Sequence, residues 1–125
     1  MTLIFVYNAD SGPLNGLKDA LHKLLSPSTY GCVLCSITYG PLGMRSEWRQ
    51  FLDSLGLPVE FLHRDELEER YGIKDAALPA VFAKLPDGTI EPLIEADSIN
   101  QQIGLEGLKG LIEDRIAEHD LLRAQ

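Results

Sequence analysis

The segment Leu3-Ile4-Phe5-Val6-Tyr7 is apolar at every position and rich in β-branched and aromatic side chains. A strand with one face in water alternates apolar and polar residues, whereas a strand covered on both faces is apolar throughout. The segment therefore predicts a central strand with packed layers above and below it. Helices on both faces of a sheet meet that requirement, so we expect an α/β fold.

Size and charge restrict the partners of such a fold. The chain has 125 residues, of which 45% are hydrophobic, and this length predicts one domain over residues 1–125. There are 19 acidic residues against 11 Lys and Arg, so the net charge is 11 − 19 = −8. Because a surface of this sign repels phosphate backbones and anionic headgroups, we expect neither nucleic acid nor a membrane surface as a partner.

The start of the chain suggests a location. It lacks the basic residues, the long apolar stretch and the small-residue cleavage site of a signal peptide. We therefore expect a cytoplasmic, reducing environment, in which cysteines are more often thiols, redox pairs or metal ligands than permanent disulfides.

Further elements follow from periodicity and from turn residues. Two β-rich runs joined by Pro86-Asp87-Gly88 are typical of a hairpin. Three glycines in the last helix each weaken it by about 1 kcal/mol relative to Ala. The predicted elements are a helix over 14–25, a strand over 31–39, a helix with Trp48, Phe51, Leu52 and Leu55 on one face, a strand over 58–62, a helix over 63–71, hairpin strands over 80–85 and 90–94, and a helix with Leu105, Leu108, Ile112 and Ile116 on one face.

The run Leu78-Pro79-Ala80-Val81-Phe82, continuing into the hairpin and the last helix, resembles the thioredoxin-fold family. In that family a proline, usually cis, precedes the third strand of the core sheet and faces the active-site loop; Pro79 holds the matching position. The resemblance covers residues 3–25 and 58–118 and leaves 26–57 as an insertion or a rearranged segment. It implies a mixed sheet, parallel in its front half and antiparallel in its C-terminal hairpin.

The junction after the first strand departs from the family. Ser11-Gly12-Pro13-Leu14 stands where the resemblance would place Cys-Gly-Pro-Cys, and a serine cannot form a mixed disulfide. In a second alignment, residues 31–39 would be the second strand of the family. The run from Ser26 to Gly40 also resembles a group of small uncharacterised bacterial proteins, which implies no function.

Cys32 and Cys35 form the one Cys-x-x-Cys motif of the chain. A helical first turn brings such a pair within disulfide range, about 6 Å between Cα atoms. A strand places them about 10 Å apart on opposite faces. Val33 and Leu34, with no nearby Lys or Arg, favour the strand and hence structural cysteines, while a redox pair and a metal site remain alternatives.

Other candidate groups are weaker. Ser11 and Gly12 can bind an anion where a helix follows a central strand, or can simply cap that helix. Pro79 is either a rigid turn or a cis proline beside a ligand groove. None of the imidazoles His22, His63 and His119 has close spacing to the cysteine pair. His22 is near enough in sequence to be a third ligand, although a lone flanking His is more often a surface residue. A closed zinc site normally needs a second tight pair, which is missing, so we expect no metal and no cofactor.

Two functions remain open from the sequence. One is a non-catalytic binding or scaffold protein that has lost the thiol site, with a protein or a small molecule as its partner. The other is a thiol–disulfide redox protein or redox sensor that uses Cys32 and Cys35.

Overall fold

The computed structural model describes residues 1–8, 33–40 and 43–124. The strands in these ranges are β1 (Thr2–Tyr7), β2 (Tyr39–Gly40), β3 (Gly43–Met44), β4 (Val59–His63), β5 (Ala80–Lys84) and β6 (Ile90–Ile94). The helices are α1 (Val33–Thr38), α2 (Ser46–Ser54), α3 (Arg64–Tyr71), α4 (Ala96–Asn100) and α5 (Leu105–Ala124).

The main sheet has the strand order β4-β1-β5-β6. Strand β1 pairs parallel with β4 and antiparallel with β5, and β5 pairs antiparallel with β6. The apolar run of β1 is buried, as expected for a central strand. The predicted α/β fold with a mixed sheet, parallel in front and antiparallel in the C-terminal hairpin, is confirmed.

Alternate residues of β1 enter two separate cores. Leu3 and Phe5 lie in one core together with side chains of α2, α4 and α5. Ile4 and Val6 lie in the other, which includes Leu67 of α3. Because side chains alternate across a strand, these cores lie on opposite faces, and helices cover both.

The expected strand over 31–39 is wrong, because Val33–Thr38 is helical. Leu34, Ile37 and Thr38 are buried, and positions i, i+3 and i+4 share one face of a helix. The Thr38 hydroxyl donates to the Leu34 carbonyl at 2.7 Å, as the i−4 geometry of a helix allows. Packing of this face outweighs the β-branched side chains that favoured a strand.

The other predicted elements that fall on described residues are present, although the last helix, α5, continues to Ala124, past the predicted face that ends at Ile116. Helix α2 places Trp48, Phe51 and Leu52 in the larger core. Part of the segment 26–57 therefore belongs to the main packing of the molecule, and its being an insertion stays a prediction. The expected helix over 14–25 lies outside the described residues.

Candidate binding site at the carboxyl edge of the sheet

Three strand ends meet at one edge of the main sheet. The last residues of the parallel strands, Tyr7 and His63, are register partners. Strand β5 runs the other way and begins at this edge, where Ala80 pairs with Val6. The residue before it, Pro79, is buried and has a cis peptide bond to Leu78. In open α/β sheets, ligands bind outside the carboxyl ends of parallel strands, so this edge is the candidate site.

His63 and Glu66 form a hydrogen-bonded pair at this edge. The carboxylate oxygen Oε1 of Glu66 accepts from the His63 backbone N–H at 2.9 Å and from the His63 ring Nδ1 at 2.6 Å. These two bonds, the ring bond first, hold the pKa of Glu66 below its ordinary value. Since an ionised carboxylate can only accept, Nδ1 carries the proton in this bond. Nε2 takes no part in the contact with Glu66.

The strand and helix around this pair set its position. The His63 ring lies 5.8 Å from the ring of Tyr7, centroid to centroid, and Tyr7 in turn stacks on Phe61 at 6.1 Å. Arg64, the first residue of α3, donates to the side-chain oxygen of Asn8 at 3.4 Å. Asn8, which follows β1, and Arg64, which follows β4, are thus joined across the edge of the sheet.

A groove of about 210 Å³ lies beside Pro79, between α3 and the segment that leads to the cis bond. We call it the α3 groove. Leu67, Ile73 and Leu78 form its apolar part, and they also pack in the core that contains Ile4 and Val6. Its charged lining consists of Arg64, Glu68, Lys74 and Asp75.

Contacts at the far end of α3 fix the groove wall. The hydroxyl of Tyr71 donates to Glu60 at 2.8 Å, and Arg70 donates to the same carboxylate at 3.2 Å. Burial and the contact with Glu60 raise the pKa of Tyr71. Lys84 of β5 lies 5.4 Å above the Tyr71 ring. Helix α3, which forms one wall of the groove, is therefore anchored to β4 and β5.

The structure brings one of the sequence-predicted site residues, Pro79, into this site. Ser11, Gly12 and Cys32 lie outside the described residues. Cys35 lies in the first turn of α1, a helix rather than the expected strand.

The sequence reasoning missed the pairing of His63 with Glu66 and the role of Arg64. The signal was present in the spacing: His63 ends a strand, and an acidic residue follows three positions later in the first turn of a helix. That arrangement is typical of a residue that caps a helix and its reciprocal partner. From the sequence, His63 is a candidate only as a metal ligand.

Among the described residues, no group of three or more His, Cys, Asp or Glu side chains is placed to hold a metal ion. None of the helices in the described part of the chain is both long and apolar enough to cross a lipid bilayer. In comparisons with known proteins, no family model, curated protein or solved structure matches this chain.

Proposed function

We propose that this chain is a thioredoxin-like domain with a non-catalytic binding role, and that a partner protein binds at the α3 groove beside Pro79. The main support for the fold assignment is the position of Pro79 directly before β5, the third strand of the main sheet in chain order. The resemblance places a proline, usually cis, at this position. The parallel pair and the antiparallel hairpin agree with it.

The size of the α3 groove supports a protein partner over a cofactor. Pockets for drug-sized ligands measure about 300–1,000 Å³, and the groove measures about 210 Å³. A volume of that order holds one or two side chains of a partner. An apolar floor with charged groups around it is also the composition of an interface hot spot, where an anchoring side chain enters a pocket inside a polar rim.

The binding role, rather than thiol chemistry, rests on the junction after β1. Ser11 and Leu14 stand where the resemblance expects cysteines. Without thiols at those positions the ordinary mixed-disulfide reaction has no nucleophile there. This edge of the sheet retains hydrogen-bonding and ionic groups: the pair of His63 and Glu66, and Arg64, which lines the α3 groove together with Leu78.

Site-specific photo-crosslinking in producing cells tests the binding proposal. A benzophenone amino acid replaces Lys74, whose side chain is 68% exposed at the groove, or Glu113, an exposed residue of α5, as the control position. We expect a discrete crosslinked partner from the first position and none from the second. Ala76→Leu, which fills the groove, should lower the yield about tenfold or more, as loss of a hot spot does.

Ala77→Leu is the matched control for that filling substitution. Ala77 is the exposed neighbour of Ala76 and does not line the groove. This variant should crosslink like the unsubstituted protein. Equal crosslinking from both positions, or equal yields from the two leucine variants, would contradict the proposal.

A thiol–disulfide function is the second candidate. The observation in its favour is the helix that begins at Val33, because a helical turn brings residues three apart to within about 6 Å, whereas a strand does not. The Cys32 and Cys35 thiols would together give two electrons and two protons to a substrate disulfide. They would become one disulfide, and the substrate would leave with two thiols.

Two measurements separate this candidate from the binding role. The first is the reaction of the folded, reduced protein with dithionitrobenzoate, together with a gel shift after oxidation. The second is crosslinking by a Cys32→Ser, Cys35→Ser double variant. Unreactive thiols and unchanged crosslinking favour the binding role. A reversible intramolecular disulfide, together with loss of the crosslink in a folded double variant, favours the redox role.

A further inference from the structure

A second groove lies at the opposite side of β1 from the hairpin, between α2 and the edge strand β4. It encloses about 610 Å³. We call it the β4-edge groove. In the sheet order β4-β1-β5-β6, strand β4 has β1 on one side and no strand of the described chain on the other. Exposed strand edges readily pair with other chains, and proteins cover them or block them with charge, proline or bulges.

The floor of the β4-edge groove is apolar. Leu57, Val59 and Phe61 line it and are half-buried, although all three pack against the larger core. The ring of Phe61 stacks on Phe5 inside the molecule at 5.6 Å. Removing the remaining exposed surface of these side chains from water would favour association.

Two opposite charges stand on the helix that forms the other wall. Arg49 and Asp53 line the groove, are exposed, and are four residues apart in α2. Neither side chain makes a hydrogen bond or an ion pair with another residue that the structure describes. Their order, cation before anion along the helix, is the less favourable one for an i, i+4 pair.

These charges match a second copy of the same helix. A two-fold axis perpendicular to α2 reverses the direction of this helix between two copies, so that Arg49 of each copy can face Asp53 of the other. In such an isologous contact the same patch must complement itself, and one positive and one negative group a helical turn apart meet that condition. Because each chain has a net charge of −8, two copies repel each other. Reciprocal pairs of opposite charge replace that repulsion by attraction at the interface itself.

We propose that the β4-edge groove is the interface of a homodimer, in which the Arg49 and Asp53 side chains of two copies pair reciprocally across a two-fold axis and cover the apolar floor. This interface is separate from the α3 groove and does not depend on the proposed binding function.

Charge reversal tests the reciprocal pairing. In R49D both groups are acidic, and in D53R both are basic. Each variant alone replaces two attractive contacts by two repulsive ones, so we expect dimer dissociation constants raised about tenfold or more. An equimolar mixture of the two variants should form a one-to-one heterodimer, and the double variant R49D/D53R should dimerise like the unsubstituted protein. Sedimentation velocity over a wide concentration range measures each case.

Glu113→Arg, on the exposed face of α5, is the control reversal and should leave the dimer unchanged. Far-UV circular dichroism of each variant checks that it is folded. A monomer at all concentrations would overturn the proposal and leave the groove to a peptide strand or a small ligand. Single reversals without effect, or a mixture that forms no heterodimer, would overturn it equally.

Discussion

Trp48 is the largest side chain without exposed surface among the described residues, and it packs in the larger core. Its ring meets Phe5 edge to face at 5.4 Å and stacks on Phe51 at 5.9 Å. We expect Trp48→Ala to lower the free energy of unfolding by about 3–5 kcal/mol, through lost contacts and the cavity left behind. Urea titration followed by far-UV circular dichroism measures this change, since the variant lacks the only tryptophan of the chain.

The conservative Trp48→Phe variant separates packing from polar desolvation. The indole Nε1 is buried and has no hydrogen-bond partner among the described residues. A buried donor without a partner costs about 1–3 kcal/mol, and phenylalanine removes that cost while keeping most of the ring. The loss for Trp48→Phe should therefore be less than half of the loss for Trp48→Ala. Equal losses would show that the N–H group is satisfied.

The hydrogen bonds of the Glu95 carboxylate predict that the free energy of unfolding depends on pH. Arg115 donates to both of its oxygens, at 3.0 and 3.1 Å, and the Ser98 hydroxyl donates at 2.6 Å. These bonds lower the pKa of Glu95 to about 2. A folded pKa below the unfolded one, about 4.3, stabilises the fold above that pH, and the contribution is lost as the pH falls toward the folded pKa.

Glu95→Gln should therefore destabilise the protein at pH 7 and do so progressively less from about pH 5 to about pH 2. Because the Glu95 side chain is 59% exposed, we expect a difference of at most about 1 kcal/mol at neutral pH. Urea titrations of both proteins at several pH values measure it, with Glu113→Gln as a control on an exposed site. If the difference in free energy of unfolding between the two proteins stayed constant down to pH 2, the lowered pKa of Glu95 would be contradicted.

At the scale of elements, local conformation explains which predictions held. Two elements with a clear local pattern could be predicted: β1 from its unbroken apolar run, and α2 from apolar residues at i, i+3 and i+4. In each, the pattern that favours the local conformation also supplies the side chains that pack in the core. Helix α1 has six residues, which are too few to show a clear period. Val33, Ile37 and Thr38 favour a strand by their local preference, and tertiary packing outweighs that preference. Pro79 could be identified as a candidate from the sequence, as a rigid turn or as a cis proline. The meeting of Tyr7, His63 and Pro79 was not, because it depends on strand pairing between distant segments.

Two glycines allow the effect of Gly→Ala on stability to be compared between the end of one helix and the interior of another. Gly72 ends α3 at φ 69°, a left-handed conformation that favours glycine, and a Cβ there would meet open space. Gly72→Ala should lower the free energy of unfolding by about 1 kcal/mol, through backbone strain alone. Gly110 lies inside α5, where a Cβ also has room, so Gly110→Ala should stabilise by about 0.5–1 kcal/mol. Thermal unfolding of both variants compares them, and shifts of the same sign would contradict this account.

At the scale of the whole molecule, the two cores share the central strands of the sheet. Strand β5 contributes Val81 and Ala83 to the core that contains Trp48, and Ala80 and Phe82 to the core that contains Leu67. Strand β1 is divided in the same way. Loss of either core removes the support of these strands for the other. We therefore expect the two faces of the sheet to unfold together, as small single domains usually do.

Leu67→Ala tests this coupling, because Leu67 is 1% exposed and lies on the opposite face of the sheet from Trp48. The substitution should lower the free energy of unfolding by about 2–5 kcal/mol. Trp48 fluorescence reports one face, and far-UV circular dichroism reports the whole fold. If the shared strands β1 and β5 couple the faces, the urea midpoints from both probes move by the same amount. A fluorescence midpoint that stays in place while the dichroism midpoint falls would mean that the α3 side unfolds independently.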